Sequence, residues 1–260
     1  MALSQSEIDD LVDDLYEAYE TKTAIKPVSD DTEFTTEEAY TVQSRVFDRI
    51  HDEDNRRIGH KLGLVSEAKQ EQLGILEPIF APVIEEMVLD ENVIPTEELI
   101  APRIEAEIGL IIDEDVPEPV TTADVLSATR AVVPVAEVLE SRYQGWTIPS
   151  AQDVIADLTS ASYVIVGESL ANVTDVDLPM ESVVVSVNGE IEETGVGADI
   201  MGHPARAVSW LGNRLEDRDD GLSAGDLVMT GGITAAIDVE PGDVYHIEFG
   251  SIGSIEVRAA

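Results

Sequence analysis

The most regular pattern in this chain is an alternation of apolar and polar residues from Arg103 to Ile112. Successive side chains of a β-strand point to opposite faces, so the alternation predicts a strand with one apolar face. That face consists of Ile104, Ala106, Ile108, Leu110 and Ile112. The opposite face carries Glu105, Glu107 and Gly109. Because the two glutamates are two residues apart, their backbones lie roughly 6.5–7 Å apart, and both carboxylates can reach one divalent cation.

A third acidic residue, Glu137, lies in the apolar, strand-like run from Val133 to Leu139 and is the candidate third ligand. The chain contains 54 Asp and Glu residues in 260, so two glutamates at this spacing also arise by chance. A half-exposed strand with glutamates on its solvent face is an ordinary structure. From spacing alone, the metal site and the solvated strand face are therefore both open.

Helical periodicity dominates the first fifty residues. Capping-box patterns, a Ser or Thr followed three residues later by Glu, begin at Ser4 and Thr35, and apolar residues follow at helical spacing. Beyond residue 160 the pattern is mostly that of strands, and Asn188-Gly189 is typical of a type I′ hairpin turn. Strands are predicted over 58–66, 162–167, 181–187, 190–194, 226–230, 244–249 and 252–258, and further helices over 67–73, 122–132, 150–158 and 204–215.

These elements predict an α+β fold with a helical N-terminal region over residues 1–55 and a β-rich catalytic domain over residues 56–260. The sequence has no run of 18 apolar residues and no basic segment before an apolar stretch at its start, so we expect neither a membrane span nor secretion. It has no cysteine, which excludes disulfides and thiolate metal sites and is typical of a cytoplasmic protein.

The net charge of −39 changes the expected partners and habitat. Nucleic acid and anionic membranes are excluded, because both would repel such a surface. The apolar fraction of 43% is that of a folded protein, so the charge is not that of a disordered acidic tail. We interpret it as the solvated surface of a halophile's protein, since the Debye length shrinks to about 3 Å at 1 M salt.

Lys61 is the candidate acid–base residue. The chain has only four lysines, and this one lies between glycines in an apolar segment that reads as a strand. Desolvation there would lower its pKa toward a useful range. The alternative is an ordinary surface lysine.

The sequence Gly221-x-Ser223-x-Gly225 matches a hydrolase nucleophile motif in its letters, but an acidic run precedes it and a strand-like run follows, so a serine hydrolase is not predicted.

Seven segments, in order along the chain, resemble the 2-keto-4-pentenoate hydratase / 4-oxalocrotonate decarboxylase family of the fumarylacetoacetate hydrolase superfamily. They are Gly59-His60-Lys61-Leu62-Gly63, Arg103-x-Glu105-x-Glu107-Ile108, Glu137-Val138-x-x-Ser141-Arg142, Ala156-Asp157-x-x-Ser160, Gly202-His203-Pro204-x-x-Ala207-Val208-x-Trp210-Leu211, Leu222-x-Ala224-Gly225-Asp226-x-Val228-x-Thr230-Gly231-Gly232 and Pro241-Gly242-Asp243. The resemblance runs from about residue 5 to the C-terminus.

The resemblance implies a mixed β-sandwich roll with a helical N-terminal region, a homo-oligomer, and Mg²⁺ or Mn²⁺ held by Glu105, Glu107 and Glu137. An all-carboxylate ligand set independently favours such a hard cation. The expected substrate is a small 2-oxo acid that binds the cation through its carboxylate and keto oxygens. Lys61 is the expected proton carrier, or the residue that steadies the enolate oxygen. The expected substrate-binding residues are Ser160, Leu62 and Arg142.

The activity implied by the resemblance is hydration of 2-hydroxypenta-2,4-dienoate, or a related 2-oxo-enoate, to a 4-hydroxy-2-oxo acid in aromatic meta-cleavage catabolism. A 4-oxalocrotonate-type decarboxylase is the alternative, and a non-catalytic acidic cation-binding protein is a second one. The chain departs from the family pattern at four positions, which leaves metal binding intact but loosens the choice of substrate. These positions are Ile79, Ala81, Gly145 and Leu158.

Overall fold

The computed structural model describes residues 2–51, 56–218 and 220–260, apart from the side chains of residues 68, 69 and 72. The α-helices are α1 (Gln5–Thr21), α2 (Thr36–Ile50), α3 (Glu67–Leu73), α4 (Thr122–Ala128), α5 (Ala151–Ala156) and α6 (Pro204–Glu216). The strands are β1 (Arg57–Gly63), β2 (Ile79–Ile84), β3 (Val93–Ile94), β4 (Arg103–Ile112), β5 (Thr129–Leu139), β6 (Ala161–Val166), β7 (Ser182–Val187), β8 (Glu190–Val196), β9 (Leu227–Met229), β10 (Ile237–Asp238), β11 (Val244–Phe249) and β12 (Ser254–Ala259). The predicted α+β class is confirmed.

The first two helices begin where the capping boxes predict. The Ser4 hydroxyl accepts a hydrogen bond from the Glu7 amide, and the Glu7 carboxylate accepts one from the Ser4 amide. Thr35 and Glu38 form the same reciprocal pair at the start of α2. Each box supplies partners for amides that the helix itself leaves unpaired, which fixes where the helix starts.

The strands form two mixed sheets. The larger sheet has seven strands in the order β2-β1-β9-β4-β5-β6, with β10 also paired to β4. The smaller sheet has five strands in the order β3-β12-β11-β7-β8. Two pairs, β1 with β9 and β12 with β3, are parallel, and the other strand pairs are antiparallel.

The larger sheet is covered on both faces. The predicted apolar face of β4 packs in one core with side chains of the smaller sheet, such as Val185 and Ile247. On the other face, Val135 of β5 packs in a second core with Leu15 of α1 and Val42 of α2. The glutamates of β4 and β5 project toward this helical side, so the face that carries them is buried and not solvated.

Most predicted elements agree with the structure within one or two residues, but three differ. The helix predicted over 122–132 ends at Ala128, because the residues from Thr129 onward pair with β4 instead. The strand predicted to reach residue 66 ends at Gly63. Residues 79–84, which are not among the predicted strands, form strand β2.

The hairpin at Asn188-Gly189 joins β7 to β8, and both turn residues have positive φ, as a type I′ turn requires.

The predicted boundary between residues 55 and 56 adjoins residues 52–55, which lie outside the described residues. Within the described ranges, no helix combines the length and apolar character that a membrane span needs.

Candidate metal centre and its cavity

Two neighbouring strands bring the three predicted glutamates together. Glu105 and Glu107 share one face of β4, and Glu137 of β5 lies directly opposite Glu105 in the antiparallel register. One carboxylate oxygen from each residue lies within 4.8 Å of the other two. The residues are only 9%, 0% and 2% exposed, respectively, so the cluster is an internal site.

A glycine loop after β9 closes the cluster from one side. The Gly231 amide donates a hydrogen bond of 2.9 Å to Oε2 of Glu107. A Cβ atom on Gly232 would lie 2.2 Å from Oε2 of Glu105, which is far inside van der Waals contact. A side chain at position 232 would therefore have to displace the Glu105 carboxylate from its position in the cluster.

The cluster carries more negative charge than its protein surroundings balance. Burial raises the pKa of Glu107 well above its ordinary value, and repulsion from Glu137 raises it further. Burial also raises the pKa of Glu137, against the opposing effect of Lys61. Oε1 of Glu107 is buried without a hydrogen-bond partner among the described residues. Three converging carboxylates, one with an unpartnered oxygen, suit a hard divalent cation as the missing partner.

Lys61 lies beside this cluster. It stands on β1, is 2% exposed, and its ammonium group forms an ion pair with the carboxylate of Glu137. The same ammonium donates a hydrogen bond of 2.7 Å to the carbonyl of Thr159. The expectation of a desolvated lysine, in place of a surface lysine, is confirmed by this burial.

The turn that receives Lys61 has an unusual backbone. Leu158, Thr159 and Ser160 have φ values of 52°, 53° and 56°, in the left-handed region that costs a residue with a side chain roughly 1–2 kcal/mol. Gln43 of α2 supports this turn, since its amide donates hydrogen bonds to the carbonyls of Ile155 and Phe80 and reaches the Thr159 hydroxyl at 3.3 Å. Such strain persists only where the surroundings fix the backbone.

A cavity of about 310 Å³ opens onto the cluster. The predicted site residues on its walls are Lys61, Leu62, Glu105, Glu137 and Ser160. The other lining residues are Gly63, Leu64, Leu73, Ile79, Arg103, Leu139, Trp146, Ile148, Val154, Thr159 and Ala236. Glu107 is not part of this lining, but one of its carboxylate oxygens lies within 4.8 Å of an oxygen of each of the other two glutamates.

Arg142 is not brought to this cavity. Its guanidinium is buried and bonded to the carboxylate and carbonyl of Asp157, with Glu140 and the carbonyl of Ala161 as further partners. These contacts tie the end of β5 to the segment after α5. The predicted role of Arg142 in substrate binding stays a prediction, and the observed contacts are those of a buried structural ion pair.

The four departures from the family pattern fall in different places. Ile79 lines the cavity, so an apolar side chain stands where the family pattern has an acid. Ala81 lies opposite Lys61 in the β1–β2 pairing. Leu158 packs in the second core, and Gly145 has a positive φ of 61° next to Trp146.

Sequence reasoning missed Arg103, Trp146 and Thr159 as parts of the site. Arg103 could have been predicted, because the alternation of β4 places it on the same face as Glu105 and Glu107. Thr159 acts through its carbonyl, which side-chain chemistry does not reveal.

Ser223, from the hydrolase-like motif, lies in a loop before β9, where its amide donates to the Asp226 carboxylate, so that motif lacks its required setting.

Comparison with known proteins agrees with this site. Residues 70–259 match the fumarylacetoacetate (FAA) hydrolase C-terminal family. The chain belongs to this family. It is 38% identical to the 4-oxalocrotonate decarboxylase of Pseudomonas putida over 235 residues, which are 90% of this chain and 89% of that protein. It is 33% identical to the 2-keto-4-pentenoate hydratase of Paraburkholderia xenovorans over 247 residues, which are 94% and 91% of the two chains.

Among solved structures of the family, the 4-oxalocrotonate decarboxylase from Pseudomonas putida G7, complexed with magnesium and adipate, superimposes with a TM-score of 0.94. The two chains are 34% identical, and the match covers 100% of this chain and 99% of the other. The predicted membership of the family is therefore confirmed.

Proposed function

We propose that this protein is a lyase that depends on a divalent metal and acts on an unsaturated 2-oxo acid by hydration. Glu105, Glu107 and Glu137 hold the ion, which is Mg²⁺ or Mn²⁺. The observation that carries the proposal is the set of three buried carboxylates within 4.8 Å of one another, with an unpartnered oxygen on Glu107. A non-catalytic cation-binding protein would need only surface carboxylates and no buried lysine beside them.

The bound ion supplies Lewis acidity toward the carboxylate and keto oxygens of the substrate. The remaining work is done by side chains of this chain. Lys61, fixed by Glu137 and the Thr159 carbonyl, holds a proton at its Nζ atom beside the cluster. Ser160 places a hydroxyl on the cavity wall, where it donates to the substrate carboxylate, and Leu62 contacts the substrate from the adjoining position on β1.

The favoured substrate is 2-hydroxypenta-2,4-dienoate. In hydration, the dienol loses the proton of its C2 hydroxyl and gains a proton at C5, which gives the conjugated 2-oxo-3-enoate. Water then adds its hydroxyl at C4 and a proton at C3, which gives the 4-hydroxy-2-oxo acid. Lys61 is the proton carrier in this scheme. The other charged side chains of the described cavity wall are Glu105 and Glu137, which hold the ion, and Arg103. The similarity to a 2-keto-4-pentenoate hydratase supports this reaction.

Decarboxylation of 4-oxalocrotonate is the second candidate. Two observations favour it: the 38% identity to a 4-oxalocrotonate decarboxylase and the TM-score of 0.94 to a structure of that name. Ile79 also supports it, because an apolar residue at that position leaves the cavity with one fewer acid for the proton transfers that hydration requires.

The test is to assay both reactions at high salt, each with Mg²⁺ and with a chelator, for the wild type, Lys61→Ala and Lys26→Ala. Lys26 is exposed and does not line the cavity, so its variant is the matched control. We expect turnover of at least one substrate that the chelator and Lys61→Ala each abolish and Lys26→Ala leaves unchanged. Turnover that survives the chelator, or that Lys61→Ala leaves intact, would contradict the proposed mechanism.

We also propose that the two sheets form the mixed β-sandwich roll implied by the resemblance, with residues 1–55 as its helical region and residues 56–260 as its catalytic domain. The shared core between the larger and smaller sheets supports this description. The protein is further proposed to be a cytoplasmic homo-oligomer of a salt-rich cell, without nucleic-acid or membrane partners. Light scattering after gel filtration, at low and at high salt, measures the number of subunits.

A further inference from the structure

Arg103 gives the cavity a second charged end, distinct from the carboxylate cluster. We infer that Arg103 binds a carboxylate at the far end of the substrate, so that this site selects 2-oxo diacids over 2-oxo monoacids. The inference rests on the proposed function, because it takes the 2-oxo acid end of the substrate to lie at the glutamates. Between the two candidate substrates it favours 4-oxalocrotonate, which has a second carboxylate, over 2-hydroxypenta-2,4-dienoate, which has one.

The strand places Arg103 at a suitable distance from the cluster. Arg103 and Glu105 share one face of β4, two residues apart, so their backbones are roughly 6.5–7 Å apart along the strand. Both side chains line the same cavity. A substrate anchored at the glutamates and extended along β4 therefore reaches the guanidinium with its other end.

The guanidinium is held in place but keeps a free edge. It stacks on the Trp146 ring with its central carbon 4.4 Å from the ring centroid, and Trp146 is fixed by a hydrogen bond of 2.8 Å to the Ala101 carbonyl. The Nε atom of Arg103 donates to Asp238 at 2.7 Å. Among the described residues, its two terminal nitrogens make no hydrogen bond. That pair of nitrogens has the geometry to donate two parallel bonds to one carboxylate.

The charge distribution in the cavity points to the same ligand. Among the described residues, Lys61 is the other basic side chain of the lining, and it is already paired with Glu137. Arg103 is therefore the basic group whose remaining hydrogen-bond donors can bind a ligand. Most of the remaining lining is aliphatic or aromatic, including Leu73, Leu139 and Ile148. A cavity with polar ends and largely apolar walls fits an apolar carbon chain with an acidic group at each end.

The experiment compares two unreactive ligands that differ by one carboxylate, 2-oxoadipate and 2-oxohexanoate. Their dissociation constants are measured by calorimetry on the Mg²⁺-loaded protein at one ionic strength, for the wild type, Arg103→Gln and Arg130→Gln. Arg130 is an exposed arginine at the start of β5 that does not line the cavity, so its variant is the matched control. Hydrogen bonds to charged groups contribute about 1.5–3 kcal/mol, which corresponds to roughly a 10- to 150-fold preference.

We expect the wild type and Arg130→Gln to bind 2-oxoadipate at least tenfold more tightly than 2-oxohexanoate. Arg103→Gln should lose that preference while its affinity for 2-oxohexanoate stays within about twofold of the wild type. Equal affinities in the wild type, or a parallel loss for both ligands in Arg103→Gln, would overturn the inference and leave the proposed function standing. Failure of both ligands to bind the wild type with Mg²⁺ would instead count against the proposed function itself.

Discussion

The substitution Glu107→Gln separates the two roles that a buried carboxylate can have, holding an ion and supporting the core. Glu107 is fully buried, and glutamine has nearly the same shape. Its amide oxygen can still accept the hydrogen bond from the Gly231 amide. The substitution therefore removes one negative charge from the cluster with little change in packing.

The electrostatic magnitude follows from the oxygen separations. Two unit charges 4.8 Å apart repel by about 3.5 kcal/mol at an effective dielectric constant of about 20. Without a cation, the raised pKa of Glu107 already favours its neutral form, which glutamine imitates. We therefore expect Glu107→Gln to change the free energy of unfolding of the chelated protein by no more than about 1 kcal/mol.

When Mg²⁺ is present, Glu107→Gln should lose most of the stabilisation that metal binding gives to the wild type. Loss of a supporting group near a metal typically costs 10- to 100-fold in affinity, so removal of a direct ligand should cost at least about 100-fold. At saturating metal this is about 2.7 kcal/mol, or roughly 5–11 °C in the unfolding midpoint of a chain of this size.

Scanning calorimetry of the wild type, Glu107→Gln and the exposed-strand control Glu192→Gln, each with chelator and with Mg²⁺, measures both effects. The wild type and the control should gain stability with Mg²⁺, whereas Glu107→Gln should not. A loss of several kcal/mol in the chelated variant would show that the carboxylate supports the core. An undiminished Mg²⁺ shift in Glu107→Gln would remove this residue from the metal site. Activity should also be abolished in this variant.

Three further predictions concern the loop, pH and salt. Gly232→Ala should displace Glu105 and weaken Mg²⁺ binding at least tenfold by calorimetry, whereas Gly221→Ala, whose Cβ meets nothing closer than 3.7 Å, should not. His60, whose Nε2 atom lies 3.7 Å from the Asp220 carboxylate, and Arg57, which donates a hydrogen bond to it, lower the pKa of Asp220. Its contribution to stability is therefore present above the unfolded pKa of about 4 and is lost as the pH falls through the folded value. The difference in urea midpoint between the wild type and Asp220→Asn should therefore be present at pH 7 and shrink below pH 4; a difference that does not change with pH would contradict this. Finally, NaCl should raise the urea midpoint more than sucrose of equal osmolality, because salt screens the repulsion of 39 net negative charges; equal effects would argue against a salt-adapted surface.

Local patterns predicted the parts of the fold that depend on local chemistry. The caps at Ser4 and Thr35, the hairpin at Asn188 and the alternation of β4 each follow from hydrogen bonding or side-chain direction within a few residues. The end of α4 could not be predicted this way, because residues 129–132 become strand only through pairing with β4. That is a tertiary effect, which overrides local helix preference.

The candidate site was predictable where its chemistry belongs to side chains. The convergence of Glu105, Glu107 and Glu137 follows from two alternating strands and the family resemblance. The Thr159 carbonyl was not predictable, since any residue presents that group and only the left-handed turn aims it at Lys61. For Arg142, a position near the motif glutamate does not reveal that its guanidinium is bonded to Asp157, so its predicted role in substrate binding stays a prediction.

The hydrogen bonds of Gln43 have a consequence for engineering of this protein. This side chain reaches from α2 to the backbone that holds Lys61, so α2 supports the proposed active site as well as covering the second core. An attempt to trim the chain to its β-rich part, or to exchange its leading helices with those of a relative, should therefore alter turnover even if the sheets stay folded. Redesign of α2 is therefore also redesign of the support for the proposed active site.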